Sequence, residues 1–483
     1  MATARLPFGF ARDNQVAQDG TRLLIGPEAT LNGLREARRV AGMALTPEAL
    51  DTEGFQGALA RLYDAAAADH AGGPEVAFDL EETDRSGTPR DLLEDGEDAP
   101  VVKLVNQLLR QAVRTQASDL HLEPHEEGLR ARMRIDGTMQ TVFDRRDVPA
   151  RRVVSRLKVM SALDIAETRL PQDGRIALRL GGRAIDVRLS TLPGHHGERV
   201  VMRLLDRSGG LMDLDRLGLS EADAARLNRL AGLPNGIILA TGPTGSGKTT
   251  TLYSLLRLAD RHERTILTVE DPVEYDLPGI SQTQVNPEIG LNFARGLRSI
   301  LRQDPDVILV GEIRDGETAQ TASEAALTGH LVFSSLHANT ALGAVVRLRE
   351  LGVEGYLIAA TLRGVMAQRL VRRLCPACAE FAAPTPDEAA QFTDRALPVP
   401  ARIAKAKGCE RCDNTGYSGR IGVFDILEID EAMKHAIDTD ASEVQLRDAA
   451  GPRPSLMIEA LNRVAAGETS LAEVRRVLGE SGT

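Results

Sequence analysis

Gly242-Pro-Thr-Gly-Ser-Gly-Lys-Thr249 fits the pattern G-x-x-x-x-G-K-[ST] without a gap. These residue types at this spacing hold a polyphosphate. Glycines let the backbone curl so that its N–H groups converge on phosphate oxygens. A helix opening at about Gly247 aims its positive end at the same anion. Lys248 reaches the β- and γ-phosphates and the Thr249 hydroxyl ligates Mg²⁺. The expected nucleotide-binding residues are thus Gly242, Pro243, Thr244, Gly245, Ser246, Gly247, Lys248, Thr249 and Thr250.

Two acids fall where such a site handles its metal and water. Thr265-Ile-Leu-Thr-Val-Glu270 and Asp306-Val-Ile-Leu-Val310 read as buried parallel strands, the second followed by Gly311-Glu312. Carboxylates at strand C-termini sit in the crevice where α/β sheets bind ligands. Glu312 is expected to orient or deprotonate the attacking water. A third strand, His330-Leu-Val-Phe-Ser-Ser-Leu-His337, carries a histidine near each end. Histidines are commonly packed or solvated residues, but His337 lies at the strand's C-terminal end, where a γ-phosphate sensor belongs.

Cys375-Pro-Ala-Cys378 and Cys409-Glu-Arg-Cys412 are separated by thirty residues. Two C-x-x-C turns suit one tetrahedral S₄ zinc site with no open position and hence no catalysis. A redox pair and unliganded thiols are the other readings.

The strand Ile237 to Ala240 and the helix to Ala259 position the phosphate loop. The nucleotide domain begins at about 215 and runs to 483, with the cysteine segment at 372–420 and a helical finish over 421–483 (Ala441 to Ala449, Met457 to Ala465, Leu471 to Leu478). Upstream, 99–206 alternates as an α+β domain: a helix over Val101 to Val113, strands at 120–123 and 129–135 closed by Asp136-Gly137, a helix over Val154 to Ala162, a hairpin turning at Gly181-Gly182, and a strand over Val200 to Leu205. Arg130, Arg132, Arg134, Arg188 and Arg203 recur on one face, as a solvated surface or as a basic wall against a triphosphate. Residues 71–98 break periodicity, and eight acidic residues against two arginines fill Glu81 to Asp98, so a flexible linker is expected. Residues 1–70 read as a small helical cap or docking module, with helices over 31–42 and 57–63.

The 483 residues are long enough for about three domains. The net charge of −11 argues against a nucleic acid as main partner. Neither a signal peptide nor a membrane-spanning run is visible, so a cytoplasmic location is expected.

Taken together, the motifs resemble one family: the secretion ATPases that power type II secretion and type IV pilus assembly. Ala117-Ser-Asp-Leu-His-Leu-Glu-Pro124, Arg169-Leu-Pro-Gln-Asp-Gly-Arg175, Ser190-Thr-Leu-Pro193 and Gly197-Glu-Arg-Val-Val-Met-Arg203 resemble its N-terminal signatures. Thr268-Val-Glu-Asp-Pro-Val-Glu-Tyr275 is similar to its aspartate box, Gly311-Glu-Ile-Arg-Asp315 to its atypical Walker B, and Thr328 to His337 to its histidine box. The run Cys409 to Gly422 resembles the segment after its second cysteine pair. Leu6-Pro-Phe-Gly-Phe-Ala-Arg12 and Glu36-Ala-Arg-Arg39 most resemble the type II branch.

The resemblance implies an α/β fold: a RecA-like phosphate-loop ATPase domain, preceded by an α+β PAS-like domain and a small N-terminal domain, with an inserted tetracysteine zinc subdomain. It implies a homohexamer at the inner face of the inner membrane, hydrolysing ATP with Mg²⁺ to drive pseudopilus assembly and protein export. Residues 1–70 would dock on the cytoplasmic domain of an inner-membrane platform protein. Arg188, Arg203, Arg298 and Arg302 would be supplied across the nucleotide cleft. Gly311 stands where ordinary phosphate-loop enzymes keep a Walker B aspartate, a substitution the family shares. That leaves Thr249 as the direct protein ligand of Mg²⁺, with Glu270 or Glu312 reaching it through water. The alternatives are a type IV pilus assembly ATPase and a DNA uptake or conjugation ATPase.

Overall fold

The structure, a computed structural model, describes residues 11, 14–41, 45–51, 54–55, 58, 81–83, 89–91, 100–180, 183–206, 212–259 and 263–479. The segments 6–10 and 57–63, apart from Ala58, and the 181–182 turn lie outside them. Two compact units divide the chain, 1–209 and 210–483. Among the described residues no helix is long and apolar enough to cross a membrane.

The first unit holds two sheets. β1 (Val16–Asp19) and β2 (Arg22–Ile25) form a hairpin, and β3 (Thr46–Ala49) runs parallel to β2. Between them α1 (Leu31–Ala41) sets Ala37 in a core with Leu23, Leu24 and Phe55.

The second sheet is antiparallel throughout, in the order β5-β4-β9-β10-β11-β6-β7-β8. Its strands are β4 (Glu81–Thr83), β5 (Pro89–Asp91), β6 (Asp119–His125), β7 (Gly128–Ile135), β8 (Thr138–Arg145), β9 (Gln172–Leu180), β10 (Arg183–Leu192) and β11 (Arg199–Asp206). β4 and β5 fall inside the stretch expected to be a linker, and their backbones extend the sheet from β9. An open β9 edge is a template for pairing, which acidic composition alone did not reveal. α2 (Pro100–Arg114) and α3 (Ala150–Met160) share a core with the sheet's alternating residues, among them Leu109, Leu157, Leu120, Leu122 and Met133.

Under α3 lies a buried ion pair, with Lys158 1% and Glu198 9% exposed. The Lys158 ammonium meets Glu198 Oε1 at 2.5 Å and donates to the Glu167 carbonyl at 2.7 Å. Removing one partner strands the other charge out of water. Lys158→Met is expected to destabilise this unit by about 3–5 kcal/mol, read from the urea midpoint. A midpoint shift under about 1 kcal/mol would show that Glu198 finds another partner or water.

The second unit is built on a seven-stranded sheet in the order β14-β13-β15-β16-β12-β17-β20. β12 (Gly236–Thr241), β13 (Ile266–Glu270), β14 (Ser281–Gln284), β15 (Val307–Ile313), β16 (Leu331–Leu336) and β17 (Leu362–Leu374) run parallel. β12, β13, β15 and β16 are near-continuous apolar runs, as a sheet covered on both faces requires. β18 (Glu380–Ala382) and β19 (Ile403–Lys405) pair with each other between the cysteine pairs. β20 (Tyr417–Glu428) closes the edge antiparallel to β17. The segment from 421 was expected to be helical. Its first eight residues are instead β20, because Ile421, Val423, Phe424 and Leu427 are buried there. α4 (Glu221–Ala231), α5 (Lys248–Leu258), α6 (Phe293–Ile300), α7 (Gly316–Leu327), α8 (Ala341–Glu350) and α9 (Gly355–Thr361) supply the covering layers. α10 (Pro386–Thr393) lies between the cysteine pairs. α11 (Glu431–Asp438), α12 (Glu443–Ala449), α13 (Leu456–Ala465) and α14 (Leu471–Leu478) finish the chain.

Candidate nucleotide and metal sites

The phosphate loop joins the buried end of β12 to α5. Gly247 caps α5 with a left-handed φ of 89°, and no side chain caps its first turn. The N–H groups there remain open to an anion. At Gly242 a Cβ would come within 2.6 Å of both the Gln368 carbonyl and Ser246 Oγ, so only glycine fits. The Lys248 ammonium donates to the carbonyls of Gly242 at 2.9 Å and Pro243 at 3.1 Å. Burial holds Lys248 below its ordinary value; Glu312 opposes that shift and Arg369 adds to it.

A bulge in β15 places Glu312. Against β16 the register runs Val310 to Ser334 and then Ile313 to Leu336, one residue extra on β15. The Ser334 and Ser335 hydroxyls take up the carbonyls of Val310 and Gly311, at 2.7 and 2.8 Å. A Cβ on Gly311 would lie 3.3 Å from Glu270 Cα, so an aspartate there would have to displace β13. The Glu312 carboxylate, 16% exposed, pairs with Arg314 and has His337 Nε2 at 3.5 Å from Oε2. The two histidines part company. His330 Nδ1 lies 2.8 Å from the Ala325 carbonyl in α7, a local structural contact, whereas His337 joins Glu312.

Glu270 is enclosed, at 2% exposure. The Tyr253 hydroxyl donates to Oε2, and Thr268 Oγ1 and Gln282 Nε2 donate to Oε1 at 2.5 and 3.0 Å. Burial, with Glu270 beside it, pushes the Tyr253 phenol far up, so it stays a donor. The sequence marked Glu270 but gave no sign of Tyr253, one turn into α5 and buried at 0%.

The four arginines divide between the units. In the first, β9, β10, β11, β6 and β7 align Arg175, Arg188, Arg203, Asp119 and Arg134 as successive cross-strand partners. Arg203 donates to Asp119 Oδ1 at 3.2 Å and Arg175 to Asp186 at 2.6 Å. Directly opposed like charges weaken a ladder, and this row opposes three arginines in succession. Arg130 and Arg132 on β7 pair with Asp144 and Glu123. In the second unit, Arg298 on α6 pairs with Glu317, and Arg302 donates to the Arg298 carbonyl at 2.6 Å.

Cys375, Cys378, Cys409 and Cys412 come together, all four Sγ atoms within 4.8 Å of one another. Individual separations are 4.0 Å (Cys375–Cys409), 3.8 Å (Cys378–Cys412) and 3.7 Å (Cys409–Cys412). A tetrahedron of thiolates about 2.3 Å from a zinc ion has S–S edges of about 3.8 Å, whereas a disulfide needs about 2.05 Å. Burial raises the Cys378 thiol; burial acts the same way on Cys412 but is outweighed by N–H donors from Cys409 and Gly416, which lower it. The donor set and spacing fit zinc.

A parallel sheet carrying a phosphate loop on one strand and an acid on the bulged strand two places away defines a RecA-like phosphate-loop ATPase. The same fold recurs in the Legionella pneumophila ATPase DotB (TM-score 0.58, 21% identity, 80% of this chain and 97% of that one). It recurs too in the pilus retraction motor PilT with bound ADP (TM-score 0.52, 24% identity, 77% and 95%). The family described as "Type II/IV secretion system protein" matches residues 94–476. A second family, an N-terminal domain of "GSPII protein E", matches 5–63. The type II secretion system protein E of Dickeya dadantii (strain 3937) is 46% identical, covering 98% of this chain and 97% of that protein. The type II secretion system ATPase E of Vibrio cholerae serotype O1 is also 46% identical, covering 99% and 97%. The chain belongs to the type II/IV secretion system protein family, and as a member it is a secretion ATPase.

Proposed function

We propose that this chain is the motor of a type II secretion system, a homohexamer that hydrolyses ATP to drive pseudopilus assembly and protein export. The observation that carries this reading is Glu312, half-buried between Arg314 and His337 and within charge reach of Lys248. The loop N–H groups and Lys248 hold the β- and γ-phosphates. The Thr249 hydroxyl would hold Mg²⁺, which would neutralise phosphate charge. Glu312 orients the attacking water and takes its proton, and His337 keeps the carboxylate turned toward it. Glu270, with both oxygens engaged, reaches the metal's water shell only if one of those bonds opens; its main work is to fix the wall of the site. Arg188 and Arg203, with Arg298 and Arg302, stabilise the charge that develops on the transferred phosphoryl group. The cross-strand row of Arg175, Arg188 and Arg203 supports this role because it gathers three cations side by side, two of them also paired with Asp186 and Asp119.

Residues 1–70 dock on the cytoplasmic domain of an inner-membrane platform protein. The four cysteines hold a structural zinc ion. Domain closure on ATP and reopening after hydrolysis move the platform.

Lys248→Ala is expected to weaken ATP binding at least a hundredfold, as loss of a desolvated charge contact does, and to stop secretion in cells. Wild-type binding by that variant, measured with a fluorescent nucleotide, would overturn the site. Capture of the full chain with membranes in mild detergent tests the machine. A secretion-platform protein supports the type II reading, and pilus-assembly proteins replace it with the pilus one.

A further inference from the structure

We infer that Gln368 and Arg369, consecutive residues of β17, are positioning residues for the nucleotide site. Gln368 sets the shape of the phosphate loop from one face of the strand, and Arg369 holds the loop carrying His337 from the other. The inference rests on the phosphate-loop reading above.

β17 runs parallel beside β12, with Ala240 opposite Met366 and Thr241 opposite Ala367. Gln368 is therefore level with Gly242, where the phosphate loop begins. Successive strand residues point to opposite faces, so Gln368 and Arg369 diverge. Gln368 is 1% exposed and donates from Nε2 to the Ser246 carbonyl at 2.6 Å. Two loop glycines lie against Gln368, Gly242 against its main-chain carbonyl and Gly247 against the side-chain amide. A Cβ at Gly242 would lie 2.6 Å from the Gln368 carbonyl, and one at Gly247 would lie 3.0 Å from Nε2. Gln368 Oε1 and Ser246 Oγ are both buried with no hydrogen-bond partner. Such atoms are costly in a core and are tolerated where function requires them.

Arg369 is 8% exposed. Its guanidinium donates to the carbonyls of Asn339 at 3.2 Å and Gln368 at 3.1 Å. Among the described residues no carboxylate lies within ion-pair distance of it, and a buried cation without a counter-charge is costly. Asn339 stands two residues after His337, so this bond fixes the loop on which His337 approaches Glu312. A Cβ on Gly242 would lie 3.2 Å from Arg369 Nη1, so the same guanidinium also abuts the phosphate loop.

The two roles separate kinetically. Gln368→Met fills the volume without a donor and is expected to weaken ADP and ATP binding alike, about tenfold, with kcat within about threefold. Arg369→Met is expected to leave ADP binding within about threefold and lower kcat at least tenfold, with Arg369→Lys restoring part of the loss. Thermal midpoints report whether each variant folds, and Gln368→Asn, which keeps the amide but shortens its reach, replaces Gln368→Met if that chain does not. Wild-type kinetics in either variant, or the same parameter moved in both, overturns the inference. Lys248→Ala keeps the two readings apart: if it abolishes binding while Gln368→Met and Gln368→Asn do not weaken it, the phosphate loop stands and the positioning role falls.

Discussion

Glu312→Gln is expected to bind ATP at close to wild-type affinity and to release phosphate roughly 10²–10⁴-fold more slowly, the usual cost of a lost general base. The substitution keeps the size of the side chain: its amide oxygen can accept from Arg314 while its NH2 faces the His337 ring, whose neutral form has an acceptor nitrogen, so the bulge and its neighbours need not move. It removes the charge and the basic oxygen. Because the carboxylate offsets the positive charge of Lys248, its neutralisation leaves the loop more positive and a bound triphosphate no weaker. Nucleotide titration and single-turnover phosphate release measure the two effects separately. Turnover within tenfold of wild type would move the base elsewhere on this wall. Asp271, 39% exposed and 4.0 Å from Arg314, would then be the next candidate. The comparison variant is Glu270→Gln. Its carboxylate is enclosed by Tyr253, Thr268 and Gln282, so this change is expected to lower the melting temperature together with the rate.

What the sequence disclosed and what it hid follow one physical line. Contacts carried by chain order were legible. The phosphate loop is contiguous, Glu312 follows an apolar strand directly, and each cysteine pair is a single turn. Contacts made between strands were not. Gln368 and Arg369 sit in a run, Leu362 to Leu374, whose apolar residues announce only a buried strand. Their meaning comes from the register with β12, which the sequence does not print. Tyr253 on α5 reads as one more core aromatic until Glu270 is placed against it. The arginine row has in part the same origin: Arg130, Arg132, Arg134, Arg188 and Arg203 were legible as one face, but Arg175 and the direct opposition of Arg175, Arg188 and Arg203 exist only across a ladder. β20 was missed because Gly419 and Gly422 interrupt a strand pattern, although Gly422 is required: a Cβ there would meet the Leu217 carbonyl at 2.7 Å.

The tetracysteine site carries the other large expected effect. Elemental analysis of the purified chain should give one zinc per chain, and Cys409→Ser/Cys412→Ser none. The consequence reaches beyond the loop because of where the cysteines lie. Cys375 directly follows β17, and Tyr417, five residues after Cys412, opens β20 and pairs with Leu374. The Cys375 N–H donates to the Gly416 carbonyl at 2.9 Å, and the Leu374 N–H to the Glu468 carbonyl at 2.9 Å. A metal there closes the far end of the β17–β20 pair. Next to it Arg372 stacks 4.0 Å over the Tyr417 ring and bonds Glu473, a carboxylate 1% exposed and also held by Arg476. Structural zinc contributes on the order of 10–16 kcal/mol in small peptides. The cost here is expected to be smaller, because Phe392 and Ile403 from between the cysteine pairs pack into the main core and remain there. Chelation or the double substitution should therefore leave the phosphate loop able to bind ATP while hydrogen exchange quickens over 372–382 and 403–420. Unchanged exchange in the metal-free chain would show that β17 and β20 hold this end by themselves. Loss of ATP binding by Cys409→Ser/Cys412→Ser with Mg²⁺ present would show instead that the effect travels along β17 to Gln368, some six residues from the metal end of the strand.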